Sequence, residues 1–237
     1  MTTASLLEYL FADAPNALYE QMAAWLSSSR RFAAFVTDYQ NKIRKKLRVT
    51  KDPGRLLDLQ LELETAFLLL QERSLSVAYE QQQPGGGRCP DFTVTFTTSL
   101  SFMAEVTRLK IDPSADSFSV AERISDMLVG KLSQLLPQHC NVLIIGLEGF
   151  TVTSSELSAA IRSMQQGAER SDARILQRHY FSSRSEFFGC YQRLSEVLVR
   201  NPAEQSGETL VSWVNPQARH ALPNRVQSAL YRSQAGR

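Results

Sequence analysis

Long apolar runs, paired cysteines and a surplus of either charge are all scarce in this chain. Its 237 residues include three cysteines, Cys89, Cys140 and Cys190. They lie far apart and form no Cys-x-x-Cys or Cys/His pattern, and an odd number argues against a disulfide framework. The longest apolar runs, AFLLL and NVLIIGL, are core-sized and fall short of the roughly 18 residues that a membrane span needs. The opening MTTASLLEYLFADAP has no basic segment ahead of an apolar one, so no signal peptide is expected. Net charge is +2, and partners must therefore be sought in local charge clusters. A cytoplasmic protein of prokaryotic type, without a membrane partner, is the expectation.

Several catalytic signatures are also missing. The histidines His139, His179 and His220 are scattered. No GxSxG or HExxH occurs, so hydrolases of those types have no support. The glycines of QQQPGGGR lack the Gly-Lys-Ser/Thr and the following helix of a phosphate-binding loop. No dinucleotide fingerprint follows a strand. What is present is a chain that is 43% hydrophobic and 21% charged, which can bury a full core.

Residues 1–50 read as helical. The third helix carries Phe32, Phe35, Val36, Tyr39, Ile43 and Leu47 on one stripe, by spacings of three and four. Its end reads NKIRKKLR, in which Lys42, Arg44, Lys45, Lys46 and Arg48 fill five of the seven positions 42–48 without an acid. Cations favour a helix C-terminus, but this density also suits a patch that contacts phosphates. Asp52 and Pro53 then suit the start of a helix over 53–73. Leu57, Leu61, Glu64 and Leu68 share one of its faces, which puts Glu64 on an apolar stripe and Glu62 away from it. A carboxylate on such a stripe is costly unless it is paired or bound to a metal.

Strands follow at 74–80, 91–97 and 101–107, with a glycine-rich loop after the first and a turn at Thr98-Ser99 between the others. Asp91 opens the second strand. Glu105 stands on the same face as Met103 and Thr107 of the third strand, an isolated acid in an apolar setting. A loop around Asp112-Pro113 leads to a helix over 118–136, on which Lys131 and Gln134 lie three apart. NVLIIGL reads as a central strand buried on both faces. A helix from Ser154 or Ser155 to Gln165, an edge hairpin of 195–200 with 210–215, and a last helix from Pro223 complete the chain.

Pro90-Asp91, then thirteen residues, then Glu105-x-Thr107 resembles the signature of the PD-(D/E)xK nuclease superfamily. The resemblance covers about residues 56–147. It implies an α/β restriction-endonuclease-like fold, a mixed central sheet flanked by helices. Residues 1–50 would be an N-terminal helical extension, 51–237 the nuclease-like domain, and the C-terminal hairpin and helix additions at its edge. It further implies a DNA nuclease whose Mg²⁺ or Mn²⁺ is held by Asp91, Glu105, the Val106 carbonyl and Glu64 from the preceding helix. Thr107 occupies the position where the family carries lysine. Lys131, with Gln134 beside it, is the first candidate to replace that lysine. Lys42, Arg44, Lys45, Lys46 and Arg48 would hold the nucleic-acid backbone, and a homodimer or a larger complex is compatible with this arrangement. Two alternatives stand beside it. One is a catalytically degenerate module of the same fold that binds nucleic acid or a protein partner. The other is a scaffold in which Glu64 and Glu105 merely pair with arginines.

Overall fold

A computed structural model describes residues 2–12, 16–50, 52–82, 89–110, 119–176, 181–202 and 209–234. The glycines of QQQPGGGR and the Asp112-Pro113 turn lie outside them. The chain is α/β. Its six-stranded mixed sheet has the order β1 (Leu75–Tyr79), β2 (Phe92–Phe96), β3 (Leu100–Lys110), β4 (Cys140–Glu148), β5 (Leu194–Arg200), β6 (Leu210–Val214). β1, β2 and β3 form an antiparallel meander. β3, β4 and β5 run parallel, and β6 returns antiparallel at the edge. Parallel neighbours need crossovers. α5 (Val120–Leu132) connects β3 to β4, while α6 (Ser154–Glu169), α7 (Ala173–Leu176) and α8 (Arg184–Tyr191) lie between β4 and β5.

The two sheet faces carry separate apolar cores. On one, α1 (Thr3–Phe11), α2 (Leu18–Ser28), α3 (Arg30–Val49), α4 (Pro53–Gln71) and α9 (Asn224–Gln234) pack with Phe92, Val94, Phe102, Ala104, Val106, Val142, Ile144 and Leu198. On the other, α5, α6 and α8 cover Leu109, Leu143, Ile145, Val197 and Val199. The alternation of β4, whose Val142–Ile145 are all buried, supplies both layers from one strand. The N-terminal helices therefore share a core with the sheet. Among the described residues no helix is long and apolar enough to cross a membrane.

Capping chemistry fixes the helix starts. Asp52 accepts a bond from the Arg55 amide, with Pro53 opening α4. Capping boxes are formed by Ser119 with Glu122 at α5 and by Thr153 with Glu156 at α6. Two free carbonyls at the end of α4, Leu70 and Glu72, accept bonds from the Arg31 guanidinium at 2.7 and 2.8 Å, which satisfies groups a helix end would otherwise leave open.

Four expectations need revising. β3 continues to Lys110, because β4 pairs with it along Phe102–Lys110. β5 is interior, with β4 on its other side, and of the hairpin only β6 lies at an edge of the sheet. α8 carries no clear apolar period and is missing from the sequence reading. The box at the start of α6 uses Thr153 rather than Ser154 or Ser155.

Candidate metal centre

The site is built by a mismatch in strand length. β2 pairs with β3 only as far as Phe92 opposite Ala104. Beyond that point β3 keeps β4 on one side, and among the described residues no strand pairs with its other edge. Continuing the register one step sets Asp91 opposite Glu105. The Asp91 Oδ2 accepts a 2.8 Å hydrogen bond from the Val106 amide, where a β2 carbonyl would otherwise sit. The N–H and C=O of one strand residue point to the same side, so the Val106 carbonyl also faces this edge.

A cavity of about 290 Å³ surrounds the open edge, lined by Asp58, Leu61 and Glu62 of α4, Cys89, Asp91, the β3 residues 105–108 and Lys131. It lies toward the carboxyl ends of the parallel strands, where ligands of open α/β sheets bind. Glu105 is only 5% exposed and faces α5, whose Lys131 brings its Nζ to 3.9 Å from Glu105 Oε2. Burial raises the Asp91 carboxyl to about 6. The Val106 amide opposes that rise, the Glu62 charge adds to it, and Lys131 and Lys46 draw it down.

The structure brings together Asp91, Glu105, Val106, Thr107 and Lys131. It places Glu64 elsewhere. Its carboxylate pairs with Arg200 at 2.8 Å, in a second cavity lined by Leu61, Leu68, Gly146, Leu147, Asn201, Pro202, Thr209 and Gln234. Asp58 and Glu62 are the α4 acids at the Asp91 cavity. The buried stripe of α4 is Leu59, Leu63, Ala66, Leu69 and Leu70, not the one through Leu57, which is exposed. A helix with leucines on several faces offers more than one plausible stripe. Gln134 turns back onto its own helix end, donating to the Gly130 carbonyl at 3.1 Å, and does not line the cavity.

The basic block of α3 is divided. Lys46 donates to Glu62 at 2.7 Å and contacts Glu80 at 2.6 Å. Lys42 donates to the Tyr79 and Glu80 carbonyls at 3.1 Å each. The Arg44 guanidinium lies over the Tyr9 ring at 4.2 Å. Lys45 and Arg48 are exposed. Lys42 and Lys46 thus serve internal acceptors, a role for which the sequence offers one signal: Glu80 at a strand end, opposite the helix.

Arg108 faces α4, as strand alternation requires. It binds Asp58 at 2.8 Å, the Gly54 carbonyl at 2.7 Å and Glu148. Its charge is therefore committed to tying α4 to the ends of β3 and β4.

Among the described residues no three His, Cys, Asp or Glu side chains are grouped to hold a metal ion. Four carboxylates, Asp58, Glu62, Asp91 and Glu105, line the cavity; Asp58 pairs with Arg108 and Glu62 with Lys46, which leaves Asp91, Glu105 and the Val106 carbonyl as the candidate donors. This suits a hard cation such as Mg²⁺, which keeps several of its waters and takes one or two carboxylates. No family model matches the chain, and no curated protein or solved structure matches it significantly.

Proposed function

We propose that the cavity at the open edge of β3 is the site of a metal-dependent nucleic-acid phosphodiesterase acting on DNA, with the restriction-endonuclease-like arrangement that the PD-(D/E)xK resemblance implies. The observation that carries this reading is that Asp91 and Glu105, from adjacent strands, line one cavity with Lys131, whose ammonium lies 3.9 Å from Glu105. Asp91, Glu105 and the Val106 carbonyl would hold Mg²⁺ or Mn²⁺. Bound there, the ion supplies charge neutralisation at the phosphate and lowers the pKa of its water.

The chain's own groups have distinct parts in this reading. Lys131 sets a positive charge beside Glu105, where a phosphate oxygen or an attacking water can accept from it. Thr107, on the same β3 face, offers a hydroxyl that orients water but adds no charge. Lys131 therefore takes the work that the family gives to a lysine at position 107. The Val106 amide anchors the Asp91 Oδ2 at the open edge of β3. Lys45, exposed on α3, would be the member of the basic block that meets a phosphate backbone.

The test is incubation of the full chain with plasmid and single-stranded DNA in Mg²⁺ or Mn²⁺. Cleavage is expected. Glu105→Ala should abolish it, and Lys131→Met should slow it on the order of a hundredfold. Absence of cleavage on both DNAs with both metals overturns the enzymatic reading. Thr107 favours one second reading, a degenerate module of the same fold. Salt-sensitive DNA binding without cleavage is its expected signature.

A further inference from the structure

The basic end of α3 has a second role, carried by a network behind Asp91. Lys46 stands between two acids, 2.7 Å from Glu62 Oε2 and 2.6 Å from Glu80 Oε1. The Tyr79 hydroxyl donates to the same Glu62 oxygen at 2.6 Å, and the Lys46 ammonium lies 4.8 Å from the Tyr79 ring centroid. Lys42 adds contacts to the carboxylate and carbonyl of Glu80. Three elements, α3, α4 and β1, are thereby fastened at one point.

That point is attached to the site through main chain. Glu80 follows β1 with φ +43°, a left-handed conformation that a residue with a Cβ holds only where its surroundings impose it. Its amide donates to the Asp91 carbonyl at 2.9 Å. One step further along the same pairing, Tyr79 sits opposite Phe92, with their rings stacked at 5.4 Å. Asp91 is thus held at both ends, its carbonyl by Glu80 and its carboxylate by Val106.

We infer that Lys46 is a positioning residue for the cavity: by fastening Glu62 and Glu80 together, it fixes the left-handed turn to which the Asp91 backbone is bonded. The assignment of a catalytic purpose to that positioning rests on the phosphodiesterase reading. The positioning itself does not. Lys46 then differs in kind from Lys45, although both belong to one basic run. A phosphate-contacting lysine acts on binding through counterion release, uniformly across sequences. A positioning lysine acts on the geometry of Asp91.

The decisive measurement is amide hydrogen exchange on the full chain without metal or DNA, comparing wild type, Lys46→Met and Lys46→Arg. In Lys46→Met, the Glu80 and Val106 amides should exchange about tenfold faster while Ile144 in the central strand is unchanged. Lys46→Arg, which keeps the charge and can bridge two carboxylates, should restore most of the protection. Unchanged exchange at Val106, or equal acceleration at Ile144, overturns the inference. Glu80→Gln provides a second variant that removes the clamp from the other side, with the same expected pattern.

DNA measurements then separate this inference from the enzymatic reading. In a chain that cleaves, Lys46→Met should lower the single-turnover rate at saturating DNA, with the salt dependence of binding unchanged. A salt slope reduced by about one at an unchanged rate makes Lys46 a phosphate contact and sinks the inference. In a chain that does not cleave, the exchange pattern decides the positioning role alone.

Discussion

Glu196 lies on β5, inside the layer beneath α9, and is fully buried. Its Oε1 accepts from the Tyr231 hydroxyl, while among the described residues its Oε2 has no hydrogen-bond partner. Burial raises this carboxyl to about 7, against the opposing bonds from Tyr231 and Gln227. The folded chain therefore favours the protonated acid more than the unfolded chain does. The associated stability is complete below the ordinary carboxylate range and is lost as pH rises through about 7. Glu196→Gln should leave the urea midpoint unchanged near pH 4 and stabilise the protein by about 2 kcal/mol at pH 8. An equal effect at both pH values would show that the charge is not the cause. Such a residue is hard to find from sequence, because SEVLVR is a three-residue apolar run with polar residues on both sides, which suits an edge strand as well as an interior one. The helix that covers its polar side comes from the far end of the chain. Glu62 and Glu64 show the same limit. Spacing places both on one helix, but only the neighbours across the sheet decide which acid meets Asp91 and which meets Arg200.

At the scale of elements, α4 rests on β4 through one close approach. A Cβ on Gly146 would lie 2.6 Å from Leu61 Cδ1, so the absent side chain makes room for the helix. Leu61 also lines both cavities, and the contact divides the Asp91 cavity from the Glu64–Arg200 cavity. Gly146→Ala should destabilise the chain by about 1 kcal/mol, because Leu61 must turn away. In a Leu61→Ala background, denaturation should show no further loss on adding Gly146→Ala. Additive losses would place the strain elsewhere. The strands of the meander and β4 are legible from alternation and from a continuous apolar run, and the resemblance that singled out Asp91, Glu105 and Lys131 picks residues that line one cavity. The interior position of β5 is not legible. Its pairing with β4 depends on the crossover through α6, α7 and α8, and a single run of seven residues carries no mark of which strand lies beside it.

At the scale of the whole molecule, the sheet joins two kinds of contact. β1, β2 and β3 follow one another as an antiparallel meander, and β5 and β6 as a hairpin. The pairings of β3 with β4 and of β4 with β5 are parallel and cross helices. Closing a long connection costs more chain entropy before contacts return it. Pulse-labelled hydrogen exchange during refolding should therefore protect Val94 and Ala104 before Leu143 and Leu198. Simultaneous protection of all four would show that the sheet forms in a single step.

The open edge of β3 has a consequence for the order of assembly. Asp91 and Glu105 both belong to the local meander, whereas Lys131 comes from the first long crossover. The two acids meet early, and the chain's own ammonium reaches them late. In that interval the cavity still waits for the charge that Lys131 carries to 3.9 Å from Glu105 in the folded chain, so docking of α5 is the step that completes it.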